Sequence, residues 1–142
     1  MKNIHASCIE LDNKGILFLG KSGAGKSDLA LRMIEELHAI LISDDRTDLL
    51  TQDKKLIASC PDNIKGLLEV RGIGILKFPY KKITEVKLVV ELQDENTKIE
   101  RLPKDTFFCF DDIKIKKIYV HPFEASAIYK IRLACDEKLQ AY

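Results

Sequence analysis

The most informative stretch of this sequence is Gly20-Lys21-Ser22-Gly23-Ala24-Gly25-Lys26-Ser27. It matches G-x-x-x-x-G-K-[ST], the phosphate-binding loop. A short apolar run of strand type, residues 15–19, comes before it, and residues 28–38 have helical periodicity. Because the motif requires this strand–loop–helix context, the stretch predicts a nucleotide site rather than a glycine-rich turn that fits by chance.

Each part of the loop has a chemical task. Glycines let the backbone bend so that successive N–H groups point at phosphate oxygens, and the helix N-terminus adds partial positive charge. In such a loop the lysine, here Lys26, reaches the β- and γ-phosphates, and the hydroxyl that follows, here Ser27, ligates Mg²⁺. We therefore expect nucleoside triphosphate and Mg²⁺ to bind at this point.

Composition indicates one globular domain, residues 1–142. The formal net charge of +1 gives no electrostatic case for nucleic acid or an acidic membrane surface. The four cysteines are widely spaced and form no C-x-x-C pair, which disfavours zinc and a disulfide framework and favours reduced thiols in the cytoplasm. No apolar run approaches the roughly 20 residues that span a bilayer, and the N-terminus lacks the apolar core of a signal peptide.

Carboxylates follow the next apolar run. Residues 39–43 read as a buried strand, which ends in Asp44, Asp45 and Arg46. An acidic group at the carboxyl end of a buried strand is the Walker B arrangement, in which it sits near Mg²⁺. A polar strand terminus or an Asx turn is the alternative, and the phosphate loop upstream favours the functional interpretation.

His5 lies on a predicted first strand, residues 4–11. A turn at residues 12–15 predicts that this strand pairs as a hairpin with the strand that enters the phosphate loop. His5 is therefore a candidate site residue, although spacing alone favours an ordinary core or edge histidine.

A charged pair interrupts a later apolar stretch, which reads Gly66-Leu67-Leu68-Glu69-Val70-Arg71-Gly72-Ile73-Gly74-Ile75-Leu76. If the stretch is a buried strand, Glu69 and Arg71 share one side of it and need a partner or a metal. An ordinary structural ion pair is the alternative. Beyond it, further strands are predicted at 86–92, 107–110 and 113–120, and a terminal helix over 124–142.

These features specify nucleoside triphosphate chemistry without specifying the acceptor. The Asn-Lys-x-Asp sequence of GTPases is absent, and the chain is short for a motor or transport ATPase. A phosphotransferase is favoured. A kinase for a small hydroxylated molecule and a non-catalytic nucleotide-binding module are the alternatives.

The order of His5, the loop, the Ser43–Arg46 segment and the stretch at 67–75 resembles the catalytic C-terminal domain of bacterial HPr kinase/phosphorylase. The resemblance covers nearly the whole chain, and Leu-Glu-Val-Arg-Gly-Ile-Gly at 68–74 is its most specific part. It indicates the short form, without the family's separate N-terminal domain. The fold implied is α/β, a P-loop kinase fold of the phosphoenolpyruvate carboxykinase-like type, with a mixed central sheet, a P-loop helix and a C-terminal helix.

The resemblance also implies roles. Family members phosphorylate a serine of HPr, a phosphocarrier of the sugar phosphotransferase system, and many run the phosphorolysis that yields pyrophosphate. Asp45 would exchange the proton, with His5 assisting it and Asp44 supporting Asp45 or the metal shell. Lys26 would bind phosphates, and Ser27 and Glu69 would hold Mg²⁺. Residues 68–77 would form the signature region for both reactions, and the assembly implied is a cytoplasmic homohexamer.

The chain departs from the long form near its end. The long-form segment of the type Arg-Pro-Gly-Arg-Asn is replaced by His121-Pro122-Phe123-Glu124-Ala125. We expect Lys130, Arg132 or a neighbouring subunit to supply a positive charge in place of that arginine. The resemblance therefore supports the kinase activity more strongly than the phosphorylase activity.

Overall fold

The computed structural model describes residues 1–139 as ten strands and two helices. The last three residues of the predicted terminal helix, 140–142, lie outside the described residues. The strands are β1 Lys2–Leu11, β2 Lys14–Leu19, β3 Ile40–Ser43, β4 Arg46–Gln52, β5 Lys55–Ser59, β6 Leu67–Val70, β7 Gly74–Lys77, β8 Ile83–Leu92, β9 Thr106–Phe110 and β10 Ile113–Val120. The helices are α1 Lys26–Leu37 and α2 Ala127–Cys135, and a 3₁₀ turn spans Asp62–Ile64.

Eight of the strands form one mixed sheet, as the resemblance implies. The predicted hairpin is confirmed, since β1 and β2 pair antiparallel with Ala6 opposite Leu19. Strand β2 also pairs with β8, and β8 with β10, both in parallel. The carboxyl ends of β2, β8 and β10 therefore meet at one edge of the sheet, where the phosphate loop begins.

The two longest strands each serve two sets of neighbours. The first half of β1 pairs with β4, and its second half pairs with β2 and β3. Residues 83–85 of β8 pair with β5, and residues 86–91 pair with β2. Since β4 and β5 are themselves paired, the pairings close into a ring, β1–β4–β5–β8–β2.

Two hydrophobic cores follow from this topology. One lies between the strands of the ring and includes Cys8, Leu17 and Leu56. The other lies beneath the helices, where the predicted stripe of α1 is buried at Leu29, Ala30 and Met33. Together the two cores cover both faces of β2, the strand that leads into the phosphate loop. Among residues 1–139, neither helix has the length and apolar character needed to cross a membrane.

Two predicted elements differ from the structure. The terminal helix begins at Ala127 rather than Glu124 and ends at Cys135, because the apolar positions that pack on the sheet stop there. Residues 66–76 are not one buried strand. They form a two-stranded hairpin of β6 and β7, separate from the main sheet, in which β7 is exposed throughout.

Candidate functional site

The phosphate loop connects β2 to α1 as predicted. Gly23 and Gly25 have φ values of +82° and +105°, in the region that favours glycine. Gly25 is the N-cap of α1, and its carbonyl accepts the hydrogen bond of the Leu29 N–H at 2.9 Å. The bend therefore ends where the positive end of the helix begins, which suits an anion.

Lys26 is folded back onto the loop that carries it. Its ammonium donates hydrogen bonds to the carbonyl oxygens of Gly20, at 2.6 Å, and Lys21, at 3.0 Å. Burial lowers the pKa of Lys26, and the negative charges of Asp45 and Asp44 oppose that shift. The loop thus holds a largely desolvated cation, for which a phosphate group is a suitable partner.

Asp44, at the end of β3, is directed at the phosphate loop. Its Oδ1 accepts hydrogen bonds from the hydroxyls of Ser27, at 2.7 Å, and Ser7, at 2.9 Å. Its Oδ2 accepts one from the backbone N–H of Glu69 at 3.3 Å. Although 93% of its surface is covered, this carboxylate is well satisfied. It joins the loop, the first strand and the hairpin at one point.

Asp45 points outward beside His5. His5 Nε2 lies 2.6 Å from Asp45 Oδ1, and the Asp45 side chain is 65% exposed. The backbone of Asp45 is left-handed, with φ +68°, and its N–H donates to Ser7 Oγ at 3.0 Å. This conformation turns the two neighbouring aspartates in different directions, one into the structure and one into solvent.

The hairpin brings Glu69 and Arg71 to the same place. Both side chains are exposed, and they form no ion pair with each other or with another residue of the described range. Arg71 lies in the turn that follows β6, so the expectation of two charges on one face of a buried strand was wrong. The rest of the signature region builds the hairpin: Leu68 is buried, Gly72 and Ile73 continue the turn, and Gly74 begins β7.

A cleft of about 280 Å³ is lined by residues from three of the predicted stretches. Its lining includes Lys26, Ser27, Asp45, Glu69 and Arg71. His5 and Asp44 are joined to this lining by their hydrogen bonds to Asp45 and Ser27, respectively. The residues chosen from four separate stretches of sequence therefore converge.

The donor set suits a hard cation. Residues 1–139 contain no group of three or more His, Cys, Asp or Glu side chains arranged to hold a metal by themselves. Mg²⁺, however, takes few protein ligands and keeps water or phosphate oxygens for the rest. The Ser27 hydroxyl directs its proton at Asp44, which leaves its lone pairs available, and the Glu69 carboxylate lines the same cleft. These oxygen donors fit Mg²⁺.

Neither Lys130 nor Arg132, the two residues of this chain expected to replace the long-form arginine, lines the cleft. Arg132 lies over the ring of Tyr129 and lines a second cavity with Asp12 and Lys14, at the opposite end of β2 from the phosphate loop. Lys130 pairs with Glu124 at 3.0 Å. Arg71 is the arginine that lines the cleft.

Sequence reasoning overlooked Ser7 and Phe123. Ser7 is fully buried and bonds to both aspartates. A signal for it existed, because His5 and Ser7 are two residues apart on one strand and so share a face. Phe123 lines the cleft although it lies nearly a hundred residues beyond the loop. The signal for it was its place in the segment that replaces the long-form arginine segment.

Known proteins of one family are similar to this chain. Residues 1–131 match the family model described as HPr Serine kinase C-terminal domain. HPr kinase/phosphorylase of Lactobacillus johnsonii is 37% identical over 105 residues, which are 68% of this chain and 33% of the relative. That of Peptoclostridium acidaminophilum is 30% identical over 130 residues, or 84% of this chain and 42% of the relative.

A solved structure has a similar fold. The HPr(Ser) kinase/phosphatase from Coxiella burnetii superposes with a TM-score of 0.81 at 26% identity, covering 92% of this chain and 91% of that one. The chain spans between a third and about two-fifths of the length of the curated relatives above. With its P-loop kinase fold, the chain belongs to the family of HPr serine kinase C-terminal domains.

Proposed function

We propose that this chain is an ATP-dependent protein-serine kinase that phosphorylates a serine of an HPr-type phosphocarrier. The observation that carries the proposal is the hydrogen-bonded chain from Ser27 through Asp44 and Ser7 to Asp45, which joins the phosphate loop to an exposed carboxylate. The names of the relatives supply the acceptor, since they are HPr kinase/phosphorylases.

The forward reaction needs one proton acceptor. The serine oxygen attacks the γ-phosphorus, the bond from that phosphorus to the β–γ bridging oxygen breaks, and ADP leaves. The hydroxyl proton passes to the Asp45 carboxylate, which is exposed enough to meet a protein substrate. His5 orients that carboxylate from β1, and Lys26 holds the phosphates. Mg²⁺, bound by Ser27 and Glu69, would neutralise charge on the β- and γ-phosphates.

The same residues serve the reverse reaction. An oxygen of inorganic phosphate attacks the phosphoserine phosphorus, the bond to the serine oxygen breaks, and pyrophosphate forms. Protonated Asp45 returns its proton to the departing serine oxygen, as microscopic reversibility requires. Arg71, which lines the cleft, is the residue that we assign to the incoming phosphate in place of the long-form arginine.

We also propose a homohexamer, as the family resemblance implies. Exposed apolar side chains on the hairpin, Ile73 at 73% and Ile75 at 69%, support a protein-binding surface there. Native mass spectrometry tests the assembly, and a monomer at working concentration contradicts it.

The test of the kinase proposal is transfer to purified HPr, with ATP and Mg²⁺, measured by intact mass. We expect one added phosphate with the wild-type chain. In Asp45→Asn the rate falls about 10²- to 10⁴-fold, the range for loss of a general base, while ATP still binds. Asp48→Asn is the matched control, because Asp48 lies on β4 and accepts a hydrogen bond only from Asn3 among the described residues.

Other outcomes separate the alternatives. Full activity of Asp45→Asn contradicts the base assignment. Turnover with a small hydroxylated metabolite but not with HPr favours a small-molecule kinase. Nucleotide binding without transfer to any acceptor favours a regulatory module.

A further inference from the structure

The cleft has a polar part and an apolar part. The polar part contains the groups assigned above to phosphate, metal and proton transfer. The apolar part is formed by Leu31, Val70 and Phe123, of which only Phe123 is aromatic. Ligand pockets combine a few polar groups with apolar and aromatic walls, and this cleft has that character.

The ring of Phe123 lies directly on the phosphate loop. A Cβ atom built on Gly25 would be 2.9 Å from Phe123 Cζ and 3.3 Å from Cε1. One edge of the ring therefore contacts the backbone at the N-cap of α1. The residue is nevertheless 71% exposed, so most of the ring surface is open to solvent beside the site.

The segment that carries the ring is held in place by α1. The Arg32 guanidinium donates a hydrogen bond to the carbonyl oxygen of Pro122. Its Nε also donates to Asp28 Oδ2 at 3.0 Å, one turn earlier on the helix. Pro122 itself packs near Gly25. Because these contacts fix the position of the loop, the exposed ring is a preorganised surface rather than the tip of a free loop.

We propose that Phe123 is the platform on which the nucleobase of the bound nucleotide stacks, with Leu31 beside it. The inference rests on the proposed function, which places the γ-phosphoryl group next to Asp45. The base is at the other end of the nucleotide and needs an apolar wall near the start of α1. Phe123 supplies that wall. Since every base has a π-face, stacking discriminates weakly between bases, so ATP and GTP bind with similar affinity.

The test compares ligands with and without a base. Isothermal titration calorimetry of the full chain uses ATP, GTP and tripolyphosphate, each with Mg²⁺. We expect Phe123→Ala to weaken ATP and GTP by about 5- to 150-fold, the range for loss of one stacked aromatic. Tripolyphosphate affinity stays within about twofold of wild type, and Phe123→Trp retains nucleotide affinity. Phe107→Ala, at a 44% exposed residue of β9, is the matched control and changes none of the affinities.

Three results would overturn the platform. Equal losses for ATP and tripolyphosphate mean that the ring only supports the loop at Gly25. Unchanged ATP affinity in Phe123→Ala, with a wild-type chain that phosphorylates HPr, leaves the kinase proposal intact and places the base elsewhere. Conversely, Phe123→Ala could lose ATP affinity but not tripolyphosphate affinity while the wild-type chain transfers no phosphate to HPr. That result supports the platform and contradicts the kinase proposal. A wild-type chain that binds no ATP overturns both.

Discussion

A single hydroxyl, that of Ser7, positions both aspartates. Ser7 Oγ donates to the Asp44 carboxylate and accepts from the Asp45 backbone N–H. It is fully buried, so neither bond can be replaced by bulk water when the hydroxyl is removed. Mutation of a residue that orients a carboxylate near a metal ion commonly lowers metal affinity or activity by about 10- to 100-fold.

We therefore expect Ser7→Ala to reduce kcat for HPr phosphorylation by about 10- to 100-fold, with a loss of unfolding free energy of roughly 1–3 kcal/mol. Thr47→Val is the matched control. Thr47 is also fully buried, and its hydroxyl donates to the carbonyl oxygen of Ala6, the residue before Ser7 on β1. It should lose comparable stability and keep its kcat, as measured by steady-state kinetics and urea unfolding. If kcat falls equally in the two variants, the role of Ser7 is only structural.

The β6–β7 hairpin is the element that completes the site. It stands apart from the main sheet, yet its backbone at Glu69 donates to Asp44, and the Phe78 N–H donates to the Gly66 carbonyl at its base. An isolated two-stranded hairpin is marginal in water. Burial of Leu68 is therefore the main anchor of the element that presents Glu69 and Arg71.

Replacement of that anchor tests this role. Leu68 is fully buried, whereas Leu76, directly opposite it on β7, is 39% exposed. We expect Leu68→Ala to cost roughly 2–5 kcal/mol of unfolding free energy. It should also raise the Mg²⁺ concentration required for half-maximal activity, because Glu69, the ligand proposed above, is less well held. Leu76→Ala should change both quantities less. If Leu68→Ala leaves the Mg²⁺ concentration for half-maximal activity unchanged, the hairpin does not contribute to metal binding.

The molecule as a whole determines the reactivity of the four cysteines. Cys8 lies in the core within the strand ring, Cys135 lies in the core under the helices, and Cys60 is also buried, whereas Cys109 is exposed on β9. Burial raises the pKa of the Cys8, Cys60 and Cys135 thiols. Because the thiolate is the reactive form, a raised pKa and burial both slow alkylation.

Iodoacetamide at mildly alkaline pH should therefore add one group to the native chain, at Cys109, and four groups after denaturation. Intact mass against time measures both numbers. Cys109→Ser should remain unlabelled over the same interval. Fast addition of a second group to the native chain would show that one of the two cores opens far more readily than the packing indicates.

Much of the site was predictable because its parts are encoded locally. The glycine spacing around Lys26 requires a particular bend, and the apolar run before Asp44 ends where its polar residues begin. The contacts of Ser7 were not predictable, since a buried serine looks like any small strand residue until its partners are known. Phe123 was missed for a similar reason, because only the return of the chain after β10 places it on Gly25.

Local sequence patterns predicted the phosphate loop, the strand and helix that flank it, the hairpin that carries His5 and the acidic end of β3. Short-range sterics and hydrophobic periodicity are sufficient for each of these. Three features emerge only in the folded chain: β1 and β8 close a ring of strands, residues 66–76 form a separate hairpin, and Asp44 and Asp45 face different ways. Those outcomes depend on pairings and contacts between residues far apart in the chain, whose free energies no local pattern contains.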